Sequence, residues 1–184
     1  MRRRLGLAMI EPGKVLSTWF VKRDDLPANA PRNATPPAGL SVLMYDSATG
    51  GAVERDLLTG FGKPVSVAIS HGNVYVADAA NNRIVTARLD TLLSAAQPAS
   101  ATSAKVFAQI DSPDLLAADS SGALYTRCGK TGFCRIGVDG KVTPLANDFY
   151  DARGVALDET RHVLYVIDRA AAGATRYVRA LPLQ

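Results

Sequence analysis

Three observations predict an all-β fold, a β-propeller of about four four-stranded antiparallel blades. An apolar strand, a tight polar turn and a second apolar strand recur at four places along the 184 residues. In each, an alanine stands seven to nine positions before a Tyr or Leu. Further strands follow every hairpin, while helical patterning is confined to one short run at 91–96, which Pro98 ends. Four antiparallel strands per unit, repeating roughly every 40 to 58 residues, is the signature of radial blades.

The hairpins cover residues 7–16, 67–78, 116–125 and 155–168. Aligned on their turns, Leu16, Tyr75, Tyr125 and Tyr165 are equivalent. Inner strands of neighbouring blades crowd together near the axis, which favours the small alanine, and the wider Tyr/Leu positions pack blade against blade. The outer strand pairs are 41–46 with 52–58, 83–89 with 105–108, and 134–138 with 141–145. The last pair turns at Asp139-Gly140, where both central residues are expected at positive φ. A single outer strand, 177–181, follows the fourth hairpin. The predicted blades span about 5–61, 63–110, 112–147 and 151–184, with a Pro/Ala-rich loop insertion at 22–39. That insertion is too proline-rich for strand or helix. It reads as surface decoration, although loops on a rigid scaffold are where function concentrates.

Composition narrows the classes. Hydrophobic residues at 47% and charged residues at 21% suit a packed domain and exclude disorder. The net charge of +4 comes partly from Arg2, Arg3 and Arg4. Arg83, Arg88, Arg135, Arg153, Arg161, Arg169, Arg176 and Arg179 are scattered, not massed as on a nucleic-acid-binding face. No stretch approaches the ~20 apolar residues of a membrane span. The start imitates a signal peptide, but the apolar run 5–10 is too short, so it reads as a strand and no signal peptide is assigned.

The segment Pro64-Val65-Ser66-Val67-Ala68, followed by Val74-Tyr75-Val76-Ala77-Asp78-Ala79-Ala80-Asn81-Asn82-Arg83-Ile84, resembles the blade motif of the NHL-repeat propellers. Tyr75, Asp78, Asn82, Arg83, Tyr125, Tyr165 and Asp168 are its structural positions here, and Cys128 stands where Asp78 and Asp168 stand. The resemblance implies a six-bladed ring of the TolB-like group, of which this chain is a C-terminal portion. The fourth unit lacks a last strand and the chain opens on an inner strand, so about two blades, on the order of a hundred residues, are expected to be missing. A four-bladed ring is the alternative. Missing blades, or a second copy, are the expected partners of the open apolar faces.

Few residues suggest chemistry. Cys128 and Cys134 flank a five-residue turn, and facing hairpin positions bring Cα atoms within about 4.5–5.5 Å. A disulfide is favoured over two ordinary thiols, and it implies a periplasmic or extracellular parent protein. Gly129-Lys130-Thr131 lacks the upstream glycine and following helix of a phosphate loop. His71 and His162 fall in hairpin turns and read as solvated side chains, and Asp78 and Asp168, ending second strands, as caps on backbone N–H groups in the turn. Some six-bladed relatives are gluconolactonase-like hydrolases or amidating lyases, which implies a channel metal held by carboxylate, Asn or His from several blades. The inner strands here offer Ala, Val, Leu and Met, while Glu11 and Glu159 sit in turns. No catalytic residue, metal ligand or cofactor is assigned. The expected function is a non-catalytic scaffold binding a protein or small ligand on its loop face. The alternative is a metal-dependent propeller hydrolase or lyase with ligands on missing blades.

Overall fold

The computed structural model describes residues 1–169, 171 and 175–183. Blade one contains β1 (Arg2–Glu11), β2 (Lys14–Val21), β3 (Ala38–Asp46) and β4 (Gly51–Thr59). Blade two contains β5 (Pro64–Ser70), β6 (Asn73–Asp78) and β7 (Arg83–Arg88). The helix α1 (Leu89–Ser94) and two strands, β8 (Ala99–Ser100) and β9 (Lys105–Gln109), follow. Blade three is β10 (Ala117–Ala118), β11 (Leu124–Arg127), β12 (Phe133–Ile136) and β13 (Val142–Ala146). Blade four is β14 (Ala152–Asp158), β15 (Val163–Asp168) and β16 (Tyr177–Pro182). The chain is all-β in the predicted sense, and the opening residues form a strand. Gln184, at the end of the predicted fourth blade, lies outside the described residues.

The recurring alanine and the Tyr/Leu position are cross-strand partners in every blade. Ala8 faces Leu16, Ala68 faces Tyr75, Ala117 faces Tyr125 and Ala156 faces Tyr165. Directly opposed residues share a sheet face, so each pair puts one small and one large side chain toward the following blade. Alternate residues of the same strands face the preceding blade. Leu16 joins Val74 and Val76 in the core between blades one and two. Tyr75 joins Leu124 and Ile136 between blades two and three, and Tyr125 joins Leu164 and Val166 between blades three and four. Among the described residues, four blades are joined by these three cores.

Local departures have local causes. His71 and Gly72 both take positive φ, 47° and 72°, which closes the β5–β6 hairpin in two residues. At Asp139-Gly140 only Gly140 is left-handed, because the loop spans 137–141 and Asp139 accepts the Lys141 N–H through its side chain. The 22–39 insertion ends earlier than predicted, since Ala38 and Gly39 already belong to β3. It contains a short 3-10 turn, Arg23–Asp25. The helix begins at Leu89, two residues before the predicted run. β8 lies within the predicted second blade yet pairs in parallel with β4 of blade one, Leu58 to Ala99 and Thr59 to Ser100. The α1 segment carries it there: Leu92 is buried in the first core, and Arg55 donates to the Leu93 and Ala95 carbonyls.

Leu40 is fully buried in that core, whereas Val138 is exposed. Leu40→Ala should cost about 2–5 kcal/mol in denaturant unfolding, and Val138→Ala less than about 0.5 kcal/mol. Equal effects would mean that the first interblade core does not carry stability.

Candidate functional site

The inner strands β1, β5 and β14 start at one end of the blades, where second strands end and each blade is connected to the next. The hairpin turns lie at the other end. At the connection end all three inner strands lose register with their partners, between Arg4 and Leu7, Pro64 and Ser66, and Ala152 and Val155. Bulges of this kind re-aim side chains and recur beside functional sites.

The position three residues after the Tyr or Leu of the second strand ties down the connection in blades two, three and four. Asp78, fully buried, accepts the Gly62 and Lys63 N–H groups at 3.1 and 2.9 Å, the Asn81 amide at 2.6 Å and Arg83 at 3.3 Å. Asp168 accepts the Tyr150 and Asp151 N–H groups, each at 3.0 Å. Asn82 is left-handed (φ 52°) and its Oδ1 accepts the Ser112 N–H at 2.9 Å. In blade three, Cys128 is instead joined to Cys134 in a disulfide with Cα atoms 5.8 Å apart. The loop so closed offers the Lys130 and Thr131 carbonyls to the Ala152 and Phe149 N–H groups, at 3.0 and 3.1 Å. In blade one the place belongs to Trp19, whose indole donates to Asp56 at 3.1 Å under the stacked guanidinium of Arg2.

The tyrosines are divided. Tyr75 packs edge-on against Phe107, with centroids 4.8 Å apart. The Tyr125 hydroxyl donates to Asp119 at 2.8 Å, and burial followed by this bond raises its pKa. Tyr165 is exposed. His71 and His162 sit in left-handed turns at the hairpin end, away from the bulges.

The sequence reading missed a charged cluster at the connection end. Asp151, buried, meets Arg127 at 3.2 Å, the Arg153 Nε at 3.1 Å and Arg169 at 2.5 Å. Arg153 reaches Asp114 as well, at 3.3 Å. Burial by itself pushes the Asp151 carboxyl up, but the charge of Arg153 and the Arg169 hydrogen bond outweigh it and hold the group below its ordinary 3.8. The available signal was Asp151 and Arg153 flanking Ala152 at the start of β14; each residue alone reads as a scattered surface charge. A recess of about 470 Å³ opens at this end between blades one and two, lined by Thr35, Phe61, Asn81, Arg83, Thr102 and Gln109.

The channel metal implied by the resemblance does not fit these side chains. The Ser66 hydroxyl accepts the Leu116 N–H at 3.0 Å, and Asp114 is neutralised by Arg153. A fixed guanidinium at the place of convergence repels a second cation. Among the described residues, no three His, Cys, Asp or Glu side chains come close enough to share an ion.

Because its folded-state pKa is lowered, Asp151 contributes stability that is present above about pH 4 and lost as pH falls through the folded value. Asp151→Asn should therefore flatten the fall in unfolding free energy between pH 7 and pH 3; an unchanged slope would show the cluster to be energetically silent. Asp78→Ala leaves two backbone donors and Arg83 unpaired, and should cost about 3–5 kcal/mol in the same assay.

Residues 61–86 match the NHL repeat, a span running from the connection before β5 into β7. No curated protein sequence matches the chain. Among solved structures, a gluconolactonase from Xanthomonas campestris superposes with a TM-score of 0.63 at 17% identity, over 89% of this chain and 53% of its own. The calcium-binding protein regucalcin from Agrobacterium tumefaciens gives 0.65 at 17%, over 94% and 55%. A chain of a nidogen/laminin complex gives 0.61 at 19%, over 99% and 66%. The chain thus spans from about half to two thirds of the length of these structures. The expectation of a non-catalytic scaffold is corrected here, because gluconolactonase and regucalcin propellers favour the enzyme-type alternative. The repeated Ala, Tyr and Asp positions build blades in catalytic and non-catalytic rings alike, so they were silent on this choice. The chain is a β-propeller whose second blade carries an NHL repeat.

Proposed function

We propose that the chain is part of a propeller hydrolase acting on a small cyclic ester, of the kind named by its gluconolactonase neighbour. The observation that carries this reading is Arg153. It stands at the start of an inner strand, within a bulge, oriented from two sides by Asp114 and Asp151. A guanidinium held in this way presents N–H donors to an acyl oxygen and favours the charge that develops there when water adds. It also suits the carboxylate left when the ring opens. We read the whole ring as six-bladed and TolB-like, consistent with solved relatives longer than this chain. The disulfide supports an oxidising compartment for the parent protein. No step is assigned to a metal, since the described side chains do not fit one.

The test pairs turnover with binding. The protein is assayed against a panel of aldonolactones, and binding of the corresponding aldonates is followed by NMR. Arg153→Gln should lower kcat/KM by about 100-fold or more and abolish aldonate binding, with the melting temperature held by Arg127 and Arg169. Aldonate binding that survives Arg153→Gln, or absence of both turnover and binding in the unaltered protein, would overturn the assignment.

A further inference from the structure

Blades splay outward from their inner strands, and a recess opens at the same outer position of two seams. It measures about 370 Å³ between blades two and three and about 330 Å³ between blades three and four. Register makes the two linings comparable residue by residue. Tyr75 stands opposite Thr86, which faces Lys105; Tyr125 stands opposite Arg135, which faces Thr143. Phe107 and Leu145 fall at equivalent bulges of the fourth strand. In the first recess Phe107 packs edge-on against Tyr75, and the cations are exposed, Arg88 being paired with Asp90 at 2.8 Å. The second recess differs in its charge. Arg135 is half-buried there, and among the described residues it pairs with no carboxylate, whereas Arg83, Arg127 and Arg153 each do.

A guanidinium drawn out of water without an opposite charge is costly. The walls around it define the kind of molecule that offsets the cost. Pro144, Leu145, Pro182 and Leu183 make them apolar, and Arg135 is the only charged lining residue among those described. The nearby acids line an adjoining recess of about 250 Å³, which meets the first at Tyr125, Arg135 and Leu183. Asp119 is occupied there by the Ser121 hydroxyl, the Ala123 N–H and the Tyr125 hydroxyl, at 2.6, 2.9 and 2.8 Å. Glu159 accepts the Ser120 N–H and hydroxyl, and the exposed His162 shares its rim.

We propose that the seam between blades three and four binds a small organic acid, its carboxylate paired with Arg135 and its apolar body between Leu145 and Leu183. A planar guanidinium matches a carboxylate through two parallel hydrogen bonds, and the leucine and proline walls take the apolar part out of water. Arg135 and Leu145 belong to the third and fourth strands of blade three, whereas Arg153 opens the inner strand of blade four. The site is therefore distinct from the one proposed for the lactone, and neither reading rests on the other.

NMR titration of the intact chain with phenylacetate, phenylacetamide and phenethylamine tests the site, with circular dichroism confirming that each variant is folded. Phenylacetate should give saturable shifts at the amides of Arg135, Leu145 and Leu183, and the uncharged amide should bind about 10-fold more weakly or worse. Arg135→Thr installs the residue that blade two carries at the same ladder position, and should weaken phenylacetate binding by about 10-fold or more. Leu145→Asp should weaken it as well, while Arg153→Gln should leave it unchanged. Absence of saturable shifts, or full affinity in Arg135→Thr or Leu145→Asp, would overturn the proposal. So would a preference for phenethylamine, which would make the acids of the adjoining recess the recognising groups, or a loss of phenylacetate binding in Arg153→Gln.

Discussion

Inner strands of adjacent blades approach so closely that little beyond backbone fits between them, and the rest of the architecture follows from that limit. A Cβ built on Gly6 would lie 2.6 Å from the Ser66 Cα, so β1 and β5 come together where no side chain is possible. One step further along, β5 reaches the connection before β10 through the Ser66 hydroxyl, which takes the Leu116 N–H. Close approach at the inner edge forces the blades to splay outward. The widening wedge is filled by larger side chains: Leu16 and Leu40 in the first core, Tyr75 and Phe107 at the second, Tyr125 and Phe149 at the third. The alanine facing each Tyr or Leu is the small end of that wedge.

Holding strands so near one another also fixes how blades are joined. The connecting segments carry backbone N–H groups that no ladder satisfies, and a buried donor left alone is costly. Two chemical solutions appear at one structural position, a carboxylate at Asp78 and Asp168 and, at Cys128, a disulfide-closed loop whose carbonyls accept; in blade one the same position holds Trp19, which donates to Asp56 instead. The disulfide loop and Asp168 grip the same segment, 149–152, from two sides. That double restraint places Asp151, and through it Arg153, at the bulged start of β14. Scaffold and candidate site are thus one set of bonds. This is why the Asp151 carboxylate can be buried there without loss of order, its charge being met by Arg127 and by the more exposed Arg153 and Arg169.

The same cluster separates the fold from the chemistry usually associated with it. The overall trace is shared with a gluconolactonase and with a calcium-binding protein at under 20% identity, a level that reports backbone arrangement only. Where an ion would require convergent oxygen donors, this chain places a guanidinium between two carboxylates. Shared fold and divergent side chains are compatible because the fold is set by the apolar interblade cores, to which these charged side chains do not belong.

Local pattern sufficed for the blades. Period-two alternation, tight turns and the Ala-to-Tyr spacing set strand positions and even cross-strand partners, because a hairpin's register follows from its turn and its buried face. Asp78 and Asp168 were legible as carboxylate caps on backbone N–H groups, but the groups they cap lie 15 to 18 positions back, at the connection into each blade, and not in the expected turn. What crosses between blades was not legible. β8 joins blade one because α1 packs there, and Arg127 meets Asp151, and Asp114 meets Arg153, only when blades three and four are side by side. By itself, then, the sequence determined that this protein is a set of β-blades and how each is built. Tertiary structure alone decided which charges of blade three meet those of blade four, since Arg127 and Asp151 are 24 positions apart and Asp114 and Arg153 are 39 apart, and no local period encodes their proximity.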